Sequence, residues 1–155
     1  MTGTGSDLPH IDEHATTVAA GRDEVWRALW ETLTRSWGGR GRLAARALGC
    51  AETEVRDLEG APVEGSTIVG FRVERARPEG ELALAGRHRY SRYALVFRID
   101  ALPGGATRLR AQTLAEFPGP AGALYRLLVI GSRGHVLAVR RLLEAVRRRA
   151  ERAAA

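Results

Sequence analysis

The sequence predicts a single α+β domain, and three observations carry that expectation. The middle of the chain is a run of short alternating segments separated by Gly and Pro turns. One strand and two short helical patterns precede it. One long amphipathic helical pattern closes the chain. Strands in a run followed by a helix argue for an antiparallel sheet whose apolar face the helix covers. The length of 155 residues suits one domain. Roughly 68–70% of the unfolded surface is buried at this size, enough for a core with an internal cavity.

Residues 1–9 read as a flexible leader, and residues 10–152 as the domain. His10 to Ala20 is the first strand, supported by Thr16, Thr17 and Val18. Asp23 suits the first turn of a helix in which Trp26, Leu29, Trp30, Leu33 and Trp37 fall on one face. Gly38, Gly39 and Gly41 break it, and Leu43 to Leu48 forms a second, short helix ending at Gly49. A short strand is expected over Thr53 to Leu58. The strand Thr67 to Ala76 follows, with Thr67, Val69, Phe71 and Val73 on one face. Glu81 to Gly86 presents Leu82 and Leu84, and Tyr93 to Ile99 presents Tyr93, Leu95, Phe97 and Ile99. Pro103-Gly104-Gly105 is a hairpin turn. In Thr107 to Phe117, Leu109, Ala111, Thr113, Ala115 and Phe117 point inward. From Ala121 to Arg152 one helix is expected, with Leu124, Leu128, Gly131, His135, Val139, Leu142 and Val146 on its apolar face. A curved sheet wrapped round that helix leaves a cavity where the side chains are too small to fill the middle.

Composition excludes several classes. The 45% hydrophobic and 27% charged fractions are those of a globular chain, not a disordered one. No apolar run is long enough to span a membrane, and the first residues lack the pattern of a signal peptide. The single Cys50 allows no internal disulfide and points to the cytoplasm; it reads as an inert thiol. The net charge is +6, and all 24 basic residues are arginine. With the abundant Ala and Gly, that bias reflects GC-rich codons, so nucleic acid is not an expected partner. Phosphate-loop, dinucleotide, nucleophile-elbow and zinc signatures are absent, and no cofactor is expected.

The segments Asp12–Leu29 (DEHATTVAAGRDEVWRAL), Gly104–Gly119 (GGATRLRAQTLAEFPG) and the long terminal helix resemble the START-like, helix-grip superfamily that includes polyketide cyclases and dehydrases. The resemblance covers about residues 10–150. Gly86–Asp100 and Tyr125–His135 look like one bacterial subgroup of it. It implies a curved antiparallel sheet wrapped around a long C-terminal helix, with two short helices after strand 1. It also implies a deep apolar cavity between sheet and helix. The superfamily hosts carriers, cyclases, hydrolases and sensors, so it does not by itself imply one activity.

His135 is the sharpest candidate for chemistry. It centres the apolar face of the terminal helix between Gly131 and Gly134, and each glycine costs a helix interior roughly 1 kcal/mol. Close sheet approach, a bend or room for a ligand would account for that cost. His14, on the face of Thr16 and Val18, is placed to meet His135 across the cavity. Tyr93 offers a hydroxyl to a ligand carbonyl, and His88 shares the parity of Leu82 and Leu84. These three residues, His135, Tyr93 and His14, are the acid/base candidates. The ligand-binding set adds His88, Tyr125, Trp30, Thr113 and Phe71, with Trp30 and Trp37 at the entrance. Arg87 and Arg89 read as a solvated hairpin tip. His10, Asp12 and His14 share one side of a strand, but a span of about 13 Å is too long for one ion, so no metal site is expected. Ile130 and Leu137, seven residues apart on the charged face, are expected to form a self-association patch or to contact the neighbouring loop, consistent with a monomer or weak homodimer. The function expected is binding of a lipid, polyketide or other apolar or aromatic ligand. The alternative is a polyketide cyclase or dehydratase using cavity His and Tyr groups.

Overall fold

A computed structural model describes residues 7–35, 39–56 and 60–155. The strands are β1 (His10–Val18), β2 (Thr67–Ile68), β3 (Phe71–Arg77), β4 (Glu81–His88), β5 (Ser91–Ala101) and β6 (Thr107–Glu116). They form one antiparallel sheet in the order β1-β6-β5-β4-β3-β2. Helices α1 (Arg22–Arg35) and α2 (Gly39–Leu48) follow β1. After β6 come α3 (Gly119–Arg126), a π turn (Leu127–Gly131) and α4 (Gly134–Ala154). No helix among the described residues is long and apolar enough to cross a membrane.

The alternation read from the strands sets the core. Val73, Leu82, Leu84, Phe97, Ile99, Leu109 and Ala111 line the concave face and are buried. Val25, Trp26, Leu29, Trp30 and Leu33 of α1 and Val139, Leu143, Val146 and Ala150 of α4 pack into the same cluster. Each fully buried aliphatic or aromatic side chain contributes about 1.5–3 kcal/mol relative to exposure. Three polar links tie α4 to α1 and the turn after β1 to α4 and β6. Glu151 Oε1 accepts the Ala19 N–H at 3.0 Å, Arg149 pairs with Glu31 at 3.1 Å, and the Thr107 hydroxyl donates to the Ala20 carbonyl at 2.7 Å. The other sheet face carries ion pairs, including Arg92–Glu116 and Arg110–Asp100, around a small apolar patch that Leu8 covers.

The terminal helix departs from expectation. It is not continuous from Ala121 to Arg152: the π turn and a left-handed Arg133 (φ 59°) interrupt it. A side chain at Gly131 would meet open space, and one at Gly134 only the Ser132 hydroxyl. The two glycines therefore mark a bend, not a close approach to the sheet. Ser132 Oγ accepts the Gly134 N–H at 3.3 Å and restarts the helix. The bend leaves Leu124 and Leu128 exposed instead of inward. Ile130 is half-buried and borders the cavity, while Leu137 is exposed.

Smaller departures have local causes. The strand expected over Thr67 to Ala76 is split where Gly70 adopts a left-handed φ of 85°. Of the strand expected over Thr53 to Leu58, the structure shows an isolated bridge between Arg56 and Thr67; residues 57–59 lie outside the described residues. Helix α2 begins at Gly39, before the expected Leu43. Of the expected leader, residues 1–6 lie outside the described residues. Leu8 packs on the sheet, and the Pro9 carbonyl accepts the Ala115 N–H at 2.9 Å.

Candidate functional site

Small residues at the centre of the sheet and on the inner side of α4 leave unfilled space. Ala115 on β6 and Ala138 and Ala145 on α4 border a cavity of about 660 Å³. Its other walls come from α2, β5, the π turn and the start of β3. Ala44, Ala138 and Arg141 are lining residues that remain exposed, so the cavity opens between α2 and the bend before α4. The end of α2 is held over β4 by two backbone bonds, from Arg89 N–H to the Leu48 carbonyl and from Ala51 N–H to the Arg87 carbonyl.

The wall is mostly apolar; besides Ser91 and Arg141, its polar groups fall into two clusters. One is the pair His135 and Thr113. His135 Nε2 lies 2.9 Å from Thr113 Oγ1 and 3.4 Å from Asp12 Oδ1, an oxygen shielded from solvent. The other Asp12 oxygen lies 3.2 Å from His14 Nε2. His135 Nε2 and Thr113 Oγ1 share one hydrogen bond, and Asp12 Oδ1 faces the same ring nitrogen with no hydrogen-bond partner among the described residues. His14 itself lines a second, polar depression of about 320 Å³ with Arg140 and Glu144. Asp12 thus stands between the cavity and that depression.

The second cluster is aromatic. Tyr93 meets the Phe71 ring edge-on, with centroids 5.2 Å apart, and His88 at 5.5 Å. His88 meets Tyr125 edge-on at 4.7 Å. The Tyr93 hydroxyl donates to the Gly70 carbonyl at 2.7 Å and has Cys50 Sγ at 3.9 Å. Burial first, and Cys50 second, push the Tyr93 phenol well above its ordinary range; the same causes raise Tyr125. His88 Nδ1 accepts the Tyr90 N–H at 3.0 Å, and burial lowers the imidazole pKa. His88 is therefore a neutral donor through Nε2. Gly86 makes room for this arrangement: a side chain there would collide with the Gly70 carbonyl and the Tyr93 ring.

No protein-family model matches the chain, and no curated protein matches its sequence. Solved structures do. A protein from Rhizobium loti, 17% identical, aligns over 92% of this chain and 99% of its own, with a TM-score of 0.54. Truncated norcoclaurine synthase from Thalictrum flavum, 10% identical, aligns over 90% of this chain and 94% of its own at 0.52. The di-domain ARO/CYC BexL, 15% identical, aligns over 90% of this chain and 46% of its own at 0.53. The chain has the START-like, helix-grip fold.

Within this helix-grip frame, six of the eight expected ligand-binding residues line the cavity: His135, Tyr93, His88, Tyr125, Thr113 and Phe71. His14 stands behind Asp12, outside the lining. Trp30 is a correction. It is 4% exposed inside the α1 core, because its helical face packs on α4 and not on the entrance. Trp37 lies outside the described residues. Arg87 and Arg89 are exposed, and His10 is exposed beyond a register shift in β1, so the H-x-D-x-H run does not converge. Among the described residues no group of three His, Cys, Asp or Glu is placed to hold a metal. Two site features went unanticipated. Asp12 is the partner of His135, for which its parity with His14 was the available signal. Cys50 borders the cavity, for which the sequence offered no signal.

Proposed function

We propose that the protein binds a small apolar or aromatic molecule in this cavity and orients it through His135 and Thr113. The observation that supports this reading is an apolar space with two polar side chains on one wall. The lining contains no carboxylate, so its polar groups suit a ligand with acceptor oxygens, a carbonyl or an acid. Cys50, a lone thiol, supports a cytoplasmic location. The placement of Asp12 behind His135 favours a second reading, in which the His135 imidazole acts as an acid or base within the same cavity. That role matches the cyclase or dehydratase alternative. Both readings need the cavity.

The test uses 8-anilinonaphthalene-1-sulfonate, an apolar anion, titrated into the full chain. Saturable, blue-shifted fluorescence is expected. Ala138→Trp, at an exposed position of the lining, should abolish it. His135→Ala should weaken it about fivefold to tenfold, the worth of one hydrogen bond. Affinity unchanged in Ala138→Trp would overturn the binding site.

A further inference from the structure

We propose that the rim of the cavity docks on an anionic lipid bilayer, with leucines of α3 and the π turn entering the interface and flanking arginines meeting the headgroups. Leu124, Leu127 and Leu128 follow the i, i+3, i+4 spacing of one helical face. They are 61%, 68% and 65% exposed. They adjoin Tyr125 and Val129, which line the cavity, so the exposed face is the outer side of the cavity wall. Leu43, 69% exposed, projects from α2 on the other side of the opening.

The charge around these leucines is of one sign. Arg126 and Arg133 flank them, and Arg42 and Arg46 flank Leu43; all four are exposed. The sequence contains no Asp or Glu from Phe117 to Leu143, and none from Thr32 to Ala51. Elsewhere many arginines pair with acids, as in Arg72–Glu52, Arg75–Glu81, Arg92–Glu116 and Arg147–Glu144. Codon bias accounts for arginine throughout the chain but not for the missing acids at this rim.

The occupant follows from the two chemistries together. A nucleic acid would satisfy the arginines and leave the leucines in water. A second copy would bury leucine against leucine but set arginine against arginine. An anionic bilayer takes both, apolar side chains at the acyl boundary and guanidiniums at the phosphates. Docking needs no ligand. That the docked rim passes an apolar ligand between bilayer and cavity rests on the function proposed above.

The test is co-sedimentation of the full chain with large vesicles of phosphatidylcholine alone, or mixed equally with phosphatidylglycerol. Binding to the mixed vesicles only, and release at about 0.5 M salt, are expected. Leu127→Ser/Leu128→Ser and Arg126→Gln/Arg133→Gln should each lower the partition coefficient about tenfold with unchanged circular dichroism. Three results would overturn the proposal. They are no binding to the mixed vesicles, binding unchanged in the leucine variant, and a wild-type dimer that the leucine variant turns into a monomer. None depends on dye binding in the cavity, so the two readings fail separately.

Discussion

Replacing Tyr93 by phenylalanine removes one oxygen and leaves the ring in its place between Phe71 and His88. In the folded protein that oxygen is committed, since it donates to the Gly70 carbonyl at 2.7 Å. Gly70 stands at the left-handed break between β2 and β3 and is buried. Tyr93→Phe therefore strands a buried acceptor, which costs about 1–2 kcal/mol. For a chain of this length that lowers Tm by about 2–8 °C. The aromatic wall is unchanged, so affinity for anilinonaphthalene sulfonate should move less than about twofold. Thermal unfolding and dye titration on the same preparation measure both. A variant with unchanged Tm and tenfold weaker dye binding would refute the reasoning. It would mean that the hydroxyl serves the ligand and not the backbone.

Two further predictions follow from the same wall. Gly86→Ala sets a methyl against the Gly70 carbonyl and the Tyr93 ring, so it should cost about 1–3 kcal/mol or displace Tyr93; denaturant unfolding and near-ultraviolet dichroism read the two outcomes. Burial holds the His88 pKa below its ordinary 6.5, so the unfolded chain takes up this proton first. Stability from this group is complete above that value and falls as pH drops below it. His88→Asn, whose amide oxygen keeps an acceptor near the Tyr90 N–H, should flatten the change in denaturation midpoint between pH 7 and pH 5.5.

What was legible in the sequence was whatever a period of two or of 3.6 encodes. The inward faces of β4, β5 and β6 followed from alternation alone, and they placed Tyr93, His88 and Thr113 on the cavity side before any coordinates. The terminal helix shows the limit. Its apolar stripe extrapolates smoothly through Gly131 and Gly134, and periodicity carries no sign of the left-handed Arg133 that ends it. Trp30 fails for a related reason. An apolar stripe says that a side is buried but not what buries it, and α4 took the surface assigned to the entrance. Asp12 was visible as a residue but not as a partner. Its link to His135 joins β1 to α4 across the fold, and only tertiary placement reveals it.

The interruption at Ser132 and Arg133 divides the end of the chain into two parts that bear on the core differently. From Val139 onward the helix is an anchor, locked to α1 and to the turn after β1 by Val146, Ala150, Arg149 and Glu151. From Gly119 to His135 it is an outer panel that borders the cavity, and of these residues only Gly122 is buried. Substitutions in the panel should reshape the cavity while the anchor keeps the domain folded. The break in the helix thus lets one wall of the cavity vary at little cost to the packing that holds the fold.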